Sequence, residues 1–429
     1  MEFDFTNIDS TIIFTQIFRL SFKIIDLWLF MYNINKVKGK LNMAMTSRER
    51  VQAVLNYETP DRVPIIIGVS NATGIKIHPY RGIKKILGIE NEDKYIYDWP
   101  ELGTSLPDER VMVRLHSDVR GILDRFPKEV YERNQSRSPH SPFFDDWGNG
   151  QMEIGPDNWY PGVHPMPNAK TIEDLESYPW PDMDDPYRTS HVREEATKIH
   201  ADNQFAIMAT PWLMFPFERA IGLQGMETFL SNMAMEPEFA QELLNRINKL
   251  CMTNMGHFLD QCGDLIDIIK IGDDLGTQEN LIISPRMYRK MLKPLHAEMI
   301  SLIKQKTNAK VFFHTDGDVF NLIEDFIEIG VDILNPIQTS AGKMSNLEEL
   351  KKQYDKRIVF CGAIDTQKIL PHGTPEEVKQ EVRRVMNILG KGGGYMVATV
   401  HTVMNEVPAE NVLAMVDAVE EYGYYPLKG

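Results

Sequence analysis

The chain has 429 residues, of which 43% are hydrophobic and 25% are charged, as expected of a globular protein with a large core. Its formal net charge of −15 argues against nucleic acid or an anionic membrane surface as the main partner, because both would repel it. The three cysteines, Cys251, Cys262 and Cys361, have neither CxxC spacing nor a disulfide framework, which predicts a cytoplasmic location.

Residues 1–44 differ from the rest of the chain. The run from Ile12 to Ile34 is apolar, but three charged residues interrupt it, which argues against a membrane-spanning helix. The stretch also lacks the basic start and cleavage site of a signal peptide. We expect an N-terminal extension, which a start codon placed too far upstream would explain, followed by a single domain over residues 45–429.

From Thr46 onwards, strand-like and helix-like segments alternate. Short apolar runs predict eight strands, at residues 64–68, 111–116, 205–210, 264–271, 310–314, 331–335, 358–362 and 395–400. Helical patterns fill most of the intervals, so the sequence predicts an α/β fold, a (β/α)8 TIM barrel rather than an open sheet. Residues 125–190, rich in Pro, Trp, Tyr, Asp and Gly, predict a long insertion after the second strand.

Polar residues follow nearly every predicted strand. In a barrel of this kind the chemistry is built at the carboxyl ends of the strands. Six of these residues are predicted to bind the substrate: Trp212, Asp273, Gln278, Asn335, Gln338 and Asp365. Each could also serve as a cap or turn residue, but together they indicate an active site.

The strongest candidates lie where the apolar run 311–313 ends in His314 and Asp316. Because side chains alternate along a strand, these two residues point to the same side as the strand ends. Together with His401, after the last strand, and with Asp274 as a further carboxylate, they predict a zinc-type site with an open position. The alternative is structural, with Asp316 as a turn residue and His314 as a hydrogen-bonded core histidine.

Several stretches of the sequence carry a family resemblance. They are Thr46–Arg50, Thr59–Pro64, Tyr178–Asp182, His314–Asp318, Gly330–Pro336, Gly362–Asp365 and Gly392–Asn411. Through them the chain, from Met45 to Leu427, resembles the uroporphyrinogen decarboxylase (URO-D) superfamily, which includes corrinoid-dependent methyltransferases. The resemblance implies the barrel independently of the strand count.

Two branches of this superfamily compete. In its decarboxylases an arginine-rich segment near the start holds the carboxylates of the substrate, whereas here the segment Gly68–Thr73 contains no arginine. In its zinc methyltransferases a His-x-Cys pair and a late Cys hold the metal, whereas here these positions are His314-x-Asp316 and His401. Nitrogen and oxygen ligands suit a metal that polarises an ether oxygen. The resemblance therefore favours the methyltransferase branch.

We predict a methyltransferase that moves a methyl group from a small donor, such as an aryl methyl ether, to a corrinoid carried by a separate protein. Zn²⁺ at His314, Asp316 and His401, with Asp274, would act as the Lewis acid. Asp118 would orient the donor or supply a proton. Two alternatives stay open: a uroporphyrinogen decarboxylase that uses Asp118 and His401 without metal, and a non-catalytic binder of a tetrapyrrole or of a corrinoid protein.

Overall fold

The computed structural model describes residues 44–138, 140–155, 158–212 and 215–428. The predicted N-terminal extension, except for its last residue, lies outside the described residues. From Thr46 onwards the chain forms one compact unit. Its first helix is held by a capping box, in which the Thr46 side chain accepts the Glu49 N–H and the Glu49 carboxylate accepts the Thr46 N–H.

The described residues contain ten strands in two sheets. They are β1 (Val119–Ile122), β2 (Phe143–Phe144), β3 (Gly150–Gly155), β4 (Asn158–Val163), β5 (Ala206–Ala209), β6 (Ile268–Gly272), β7 (Lys310–His314), β8 (Ile333–Ile337), β9 (Val359–Ile364) and β10 (Tyr395–Thr399). Strands β1 and β5 to β10 form a seven-stranded parallel sheet in chain order. Strands β2 to β4 form a separate antiparallel sheet.

Residues 64–67 lie between the two edges of the parallel sheet. The Ile66 N–H donates to the carbonyl of Val397 in β10 (2.9 Å), and the Asp118 N–H, just before β1, donates to the carbonyl of Ile65 (2.8 Å). The bridge between Ile65 and Val397 is parallel. The segment therefore acts as a short strand between β10 and β1. It is the first barrel strand in chain order and brings the number of strands to eight, so the predicted α/β barrel is confirmed.

Helices follow most of the barrel strands. They are α1 (Ser47–Leu55), α2 (Ile77–Leu87), α3 (Glu109–Arg114), α4 (Lys128–Gln135), α5 (Ile172–Ser177), α6 (Val192–His200), α7 (Pro216–Gln224), α8 (Met226–Met235), α9 (Pro237–Cys262), α10 (Pro285–Met287), α11 (Lys293–Lys306), α12 (Ile323–Ile329), α13 (Leu347–Tyr354), α14 (Ile369–His372), α15 (Pro375–Leu389) and α16 (Ala409–Tyr422). Within the described part of the chain, none of them has the length and hydropathy needed to cross a bilayer.

The prediction of a second strand at residues 111–116 is wrong, because residues 111–114 lie in α3. The apolar run suggested a strand, but Val111 and Leu115 are buried whereas Val113 is 56% exposed, which is the periodicity of a helix. Asp108 caps the helix by accepting a hydrogen bond from a backbone N–H of its first turn. The second strand of the barrel is β1, which begins after this helix.

Alternate residues of the barrel strands point into the barrel. The apolar members of this inner layer include Met208, Ile268, Phe312, Ile333 and Met396. Helix α1 packs against the same layer near the amino ends of the strands, where the Arg48 N–H donates to the carbonyl of Gln204 just before β5 (2.9 Å). Two positions further along β6 and β7, Lys270 and His314 take the same inward direction. Inside the barrel, polar side chains therefore lie on the carboxyl side of an apolar layer.

The insertion between β1 and β5 contains the sheet of β2 to β4, which was not predicted. Asp145, at the turn between β2 and β3, makes an ion pair with Arg219 of α7 (2.7 Å), and both side chains are almost fully buried. The Arg219 guanidinium also lies 4.7 Å from the ring centroid of Trp147. The insertion is thus attached to the helix that follows β5.

Deleting residues 1–42 is expected to leave a folded protein with an unchanged thermal transition. The reason is that the unit from Thr46 onwards has its own core and a first helix that is capped from within. Circular dichroism melts of the full and shortened chains test this. Aggregation of the shortened chain, or loss of its transition, would contradict the expectation.

Candidate metal centre at the carboxyl ends of the strands

Three side chains that could ligate a metal meet at the carboxyl end of the barrel. His314 ends β7, Asp316 follows two residues later, and His401 lies two residues after β10. Their ligand atoms all lie within 4.8 Å of one another. One oxygen of Asp316, Oδ2, is 3.7 Å from Nε2 of His401 and 4.0 Å from Nε2 of His314. Two imidazoles thus face one carboxylate oxygen.

The orientation of His314 is fixed by Asn335 of β8. The side-chain oxygen of Asn335 lies 2.7 Å from Nδ1 of His314. An amide oxygen can only accept, so Nδ1 carries the proton and the lone pair of Nε2 faces Asp316. The Asn335 amide nitrogen in turn donates to the carbonyl of Cys361 (3.4 Å). This is the tautomer that a metal-ligating histidine needs.

The protonation states of the two histidines suit a cation. Burial, followed by the charge of Lys270, lowers the pKa of His314 to about 3. The pKa of His401 is lowered first by burial and then by His314, although 43% of its side-chain surface is exposed. Both rings are therefore neutral, as ligands must be. The pKa of Asp316 is raised well above its ordinary value, first by burial and then by Asp274.

The second oxygen of Asp316 supports the fit to a metal. Oδ1 is buried and has no hydrogen-bond partner among the described residues. A buried carboxylate oxygen without a partner carries a large desolvation cost. A divalent cation held by two imidazole nitrogens and this carboxylate would offset that cost, and such a set matches the ligands of a catalytic zinc with an open position. His314, Asp316 and His401 are therefore a candidate metal site.

Two ionisable residues near this site were not predicted from the sequence. Lys270 lies on β6 inside the barrel and is 7% exposed. Glu218, in the first turn of α7, has a pKa raised well above its ordinary value by burial and then by the charges of Asp274 and Asp273. Asp274, which was predicted, accepts the backbone N–H of Asp316 (2.9 Å). A charged residue within the apolar run 268–271 was the signal that could have identified Lys270.

A profile of the family described as "Uroporphyrinogen decarboxylase (URO-D)" matches residues 150–422. The chain belongs to the URO-D family. A uroporphyrinogen decarboxylase from Pseudoalteromonas translucida is 24% identical over 217 residues, which are 47% of this chain and 58% of that protein. One from Mannheimia succiniciproducens is 22% identical over 264 residues, 60% of this chain and 70% of that protein.

Among solved structures, a "methyltransferase from Methanosarcina mazei" is similar to this URO-D family member. The two share 17% sequence identity with a TM-score of 0.59, and the match covers 88% of this chain and 99% of that one. At this identity the likeness shows the fold alone. The predicted resemblance to the superfamily is confirmed by the family profile together with this shared fold.

In this URO-D family member Asp118 does not meet the candidate metal site. Asp118 precedes β1 and is fully buried at the amino ends of the strands, whereas His314 ends β7. Its carboxylate pairs with Arg50 (2.6 Å) and Arg62 (3.2 Å), and it accepts the Ile65 N–H (2.8 Å). These contacts join α1 and the segment 64–67 to β1, and the catalytic role predicted for Asp118 stays a prediction.

Replacing Asp118 with alanine is expected to lower the free energy of unfolding by about 3–5 kcal/mol, because two buried guanidinium groups lose a partner. The metal content of the fraction that remains folded should not change, since the carboxylate lies at the opposite end of the barrel. Urea denaturation and elemental analysis measure the two effects. A variant of normal stability that loses metal or activity would instead support the predicted catalytic role of Asp118.

Asp273, whose predicted role in substrate binding stays a prediction, accepts hydrogen bonds on both carboxylate oxygens. One oxygen accepts from Nε2 of His296 (3.0 Å) and from the Phe217 N–H (3.1 Å), and the other accepts from the Glu218 N–H (2.7 Å). It therefore caps α7, and its side chain points outward from the barrel. Because successive residues alternate in direction, it is the neighbouring Asp274 that faces Asp316.

Of the other five predicted substrate-binding residues, Asn335 contacts His314, as described above, and the remaining four lie in different surroundings. Gln338 accepts the Gly317 N–H through its side-chain oxygen (2.7 Å) and so holds the loop that carries Asp316. Asp365 accepts backbone N–H groups of the turn that follows it, including that of Gln367 (3.0 Å). The Gln278 side chain is exposed. Trp212 packs in an aromatic cluster, with its ring centroid 5.0 Å from that of Tyr97.

Proposed function

We propose that this protein is a methyltransferase that moves a methyl group from a small methoxylated donor, such as an aryl methyl ether, to a corrinoid carried by a separate protein. The observation that carries the proposal is the meeting of the His314 and His401 imidazoles at one oxygen of Asp316. When bound there, zinc would supply a Lewis acid that polarises the ether oxygen of the donor. The ligand set of two nitrogens and one oxygen favours an oxygen donor over a thiol.

The protein's own residues hold this geometry. Asn335 fixes the tautomer of His314, while Asp274 and Gln338 bind the backbone N–H groups of Asp316 and Gly317. The loop that carries Asp316 is therefore held from two neighbouring strands. Such preorganisation lowers the cost of bringing the ligands together when the donor binds. We assign to the donor the space beside His314, Asp316 and His401.

The second candidate is uroporphyrinogen decarboxylase, because the curated relatives carry that name. Its substrate needs cationic groups for its carboxylates. The loop 68–73, where decarboxylases of the superfamily carry arginines, is closed by neutral groups: the Gly68 N–H donates to the carbonyl of Thr73 (2.6 Å), and the hydroxyls of Ser70 and Thr73 lie 3.2 Å apart. Asp118 lies at the other end of the barrel. These observations favour methyl transfer.

A methyl-transfer assay tests the proposal. Purified protein would be mixed with methoxylated aromatic donors and a reduced corrinoid protein, and the corrinoid spectrum and the demethylated product would be followed. We expect transfer that a chelator abolishes and that added zinc restores. A full panel of methoxylated donors that yields no transfer in the zinc-loaded protein would contradict the proposal.

A further inference from the structure

His296 is a fully buried histidine near the start of α11, and the proposed reaction does not use it. It lies on the outer side of the barrel strands, with its ring centroid 5.3 Å from that of Phe313. Its Nε2 donates to Oδ2 of Asp273 (3.0 Å), and its Nδ1 lies 3.4 Å from the hydroxyl oxygen of Tyr288. Both ring nitrogens are thus bonded within the protein, so the ring can act on the site only through Asp273 or Tyr288.

Asp273 connects His296 to the strands that end at the candidate metal site. Its carboxylate also accepts the N–H groups of Phe217 (3.1 Å) and Glu218 (2.7 Å) in the first turn of α7. Its own backbone N–H donates to the carbonyl of His314 at the end of β7 (2.9 Å). Three donors from two helices therefore fix the direction of this buried carboxylate, while its main chain is bonded to a candidate metal ligand.

The loop 273–277 runs along the loop 314–318, which carries Asp316. The main chain of Asp316 is bonded to it twice: its N–H donates to the Asp274 carboxylate (2.9 Å), and its carbonyl accepts the Gly276 N–H (3.1 Å). The two loops are also in close contact, because a Cβ added to Gly276 would lie 2.6 Å from the carbonyl oxygen of Asp316. The position of Asp316 therefore follows that of the loop 273–277.

We propose that His296 is a positioning residue for the candidate metal site. It holds the Asp273 carboxylate, Asp273 holds the first residue of the loop 273–277, and this loop holds Asp316 where both imidazoles face its carboxylate. The inference rests on the metal site of the proposed function, but not on the reaction or the donor. Groups that orient metal ligands from outside the ligand set contribute to metal affinity without touching the metal.

The zinc affinity of His296 variants tests the inference. His296→Leu keeps an apolar side chain in the space but removes both ring nitrogens, and it should weaken zinc binding by roughly 10–100-fold. His296→Gln, which offers an N–H close to the position of Nε2, should restore most of the affinity. Competition with a chelator measures the affinity in the folded full chain. Backbone hydrogen exchange over residues 314–318 should also be faster in His296→Leu than in wild type, with or without zinc.

Met299→Ala is the matched control. Met299 is fully buried on the same helix, so its truncation should lower the thermal transition through lost packing. It should nevertheless keep the zinc affinity of wild type and the slow exchange of residues 314–318. The inference is overturned if His296→Leu behaves like this control, with a lower transition and unchanged zinc affinity, or if wild type binds no zinc.

Tyr288→Phe decides the question if His296→Leu does not fold. It removes only the hydroxyl beside Nδ1 of His296 and should weaken zinc binding by about two- to tenfold, the usual effect of one hydrogen bond. In that case an unchanged affinity overturns the inference. Zinc binding that depends on His296 in a protein without methyl transfer would refute the proposed reaction and leave this inference standing.

Discussion

Replacing His314 or His401 with alanine is expected to remove most of the bound metal and nearly all methyl transfer, while the barrel stays folded. Three side chains contribute to the site, so the loss of one leaves a position that water must fill, and metal affinity collapses. Asp316→Ala should behave in the same way, because its Oδ2 is the atom that both imidazoles face. Activity with a corrinoid acceptor and metal content measure these effects.

His372→Ala is the matched control for the two histidine variants, since His372 is exposed on α14 and is not one of the three side chains that meet at the candidate metal site. It should keep both metal and activity. Asn335→Ala should have a smaller effect, roughly 10–100-fold, because Asn335 orients His314 without ligating. Full activity in His314→Ala would mean that His314 is only a hydrogen-bonded core residue.

The second large effect concerns the porphyrinogen route. Given reduced uroporphyrinogen, the protein is expected to form no coproporphyrinogen above the rate without protein. The eight carboxylates of that substrate need several cations, and the loop 68–73 offers neutral groups only. Arg50 and Arg62 cannot substitute, because they pair with Asp118 at the amino ends of the strands. A known uroporphyrinogen decarboxylase should be assayed in parallel as the positive control.

Turnover of uroporphyrinogen at a rate typical of enzymes, about 1 per second or faster, would reverse the order of the two candidates. It would mean that the pocket binds carboxylates by means other than an arginine-rich loop. In that event Lys270 would be the first residue to examine, because it is a buried cation whose charge acts on His314.

The barrel could be predicted because most of its strands are short apolar runs that end in polar residues. The run 310–314 matches β7 in full, and 395–400 contains β10. The run 111–116 misled because three apolar residues in sequence do not distinguish a buried strand from one turn of an amphipathic helix. The antiparallel sheet of the insertion was missed since its strands are short and interrupted by glycine.

The candidate metal site could be predicted in part for the same reason. Side chains alternate in direction along a strand, and His314 and Asp316 are two residues apart at the end of β7. The sequence therefore predicts that both side chains point to the same side. The sequence does not show whether Asp273 or Asp274 faces Asp316, because this depends on the residue at which β6 ends. A shift of that end by one residue would exchange the directions of the two side chains. Glu218 was not predicted because it lies in a helix, whereas the candidate residues were chosen at the carboxyl ends of predicted strands. Its place follows only from how Asp273 anchors α7.

The metal content of the wild-type protein tests the central claim most directly. Elemental analysis of the purified full chain, after dialysis against metal-free buffer, should find about one zinc ion per chain. His314→Ala and His401→Ala, prepared in the same way, should contain little, and His372→Ala should match wild type. Wild-type protein that is free of metal and still transfers methyl groups at its full rate would contradict the account.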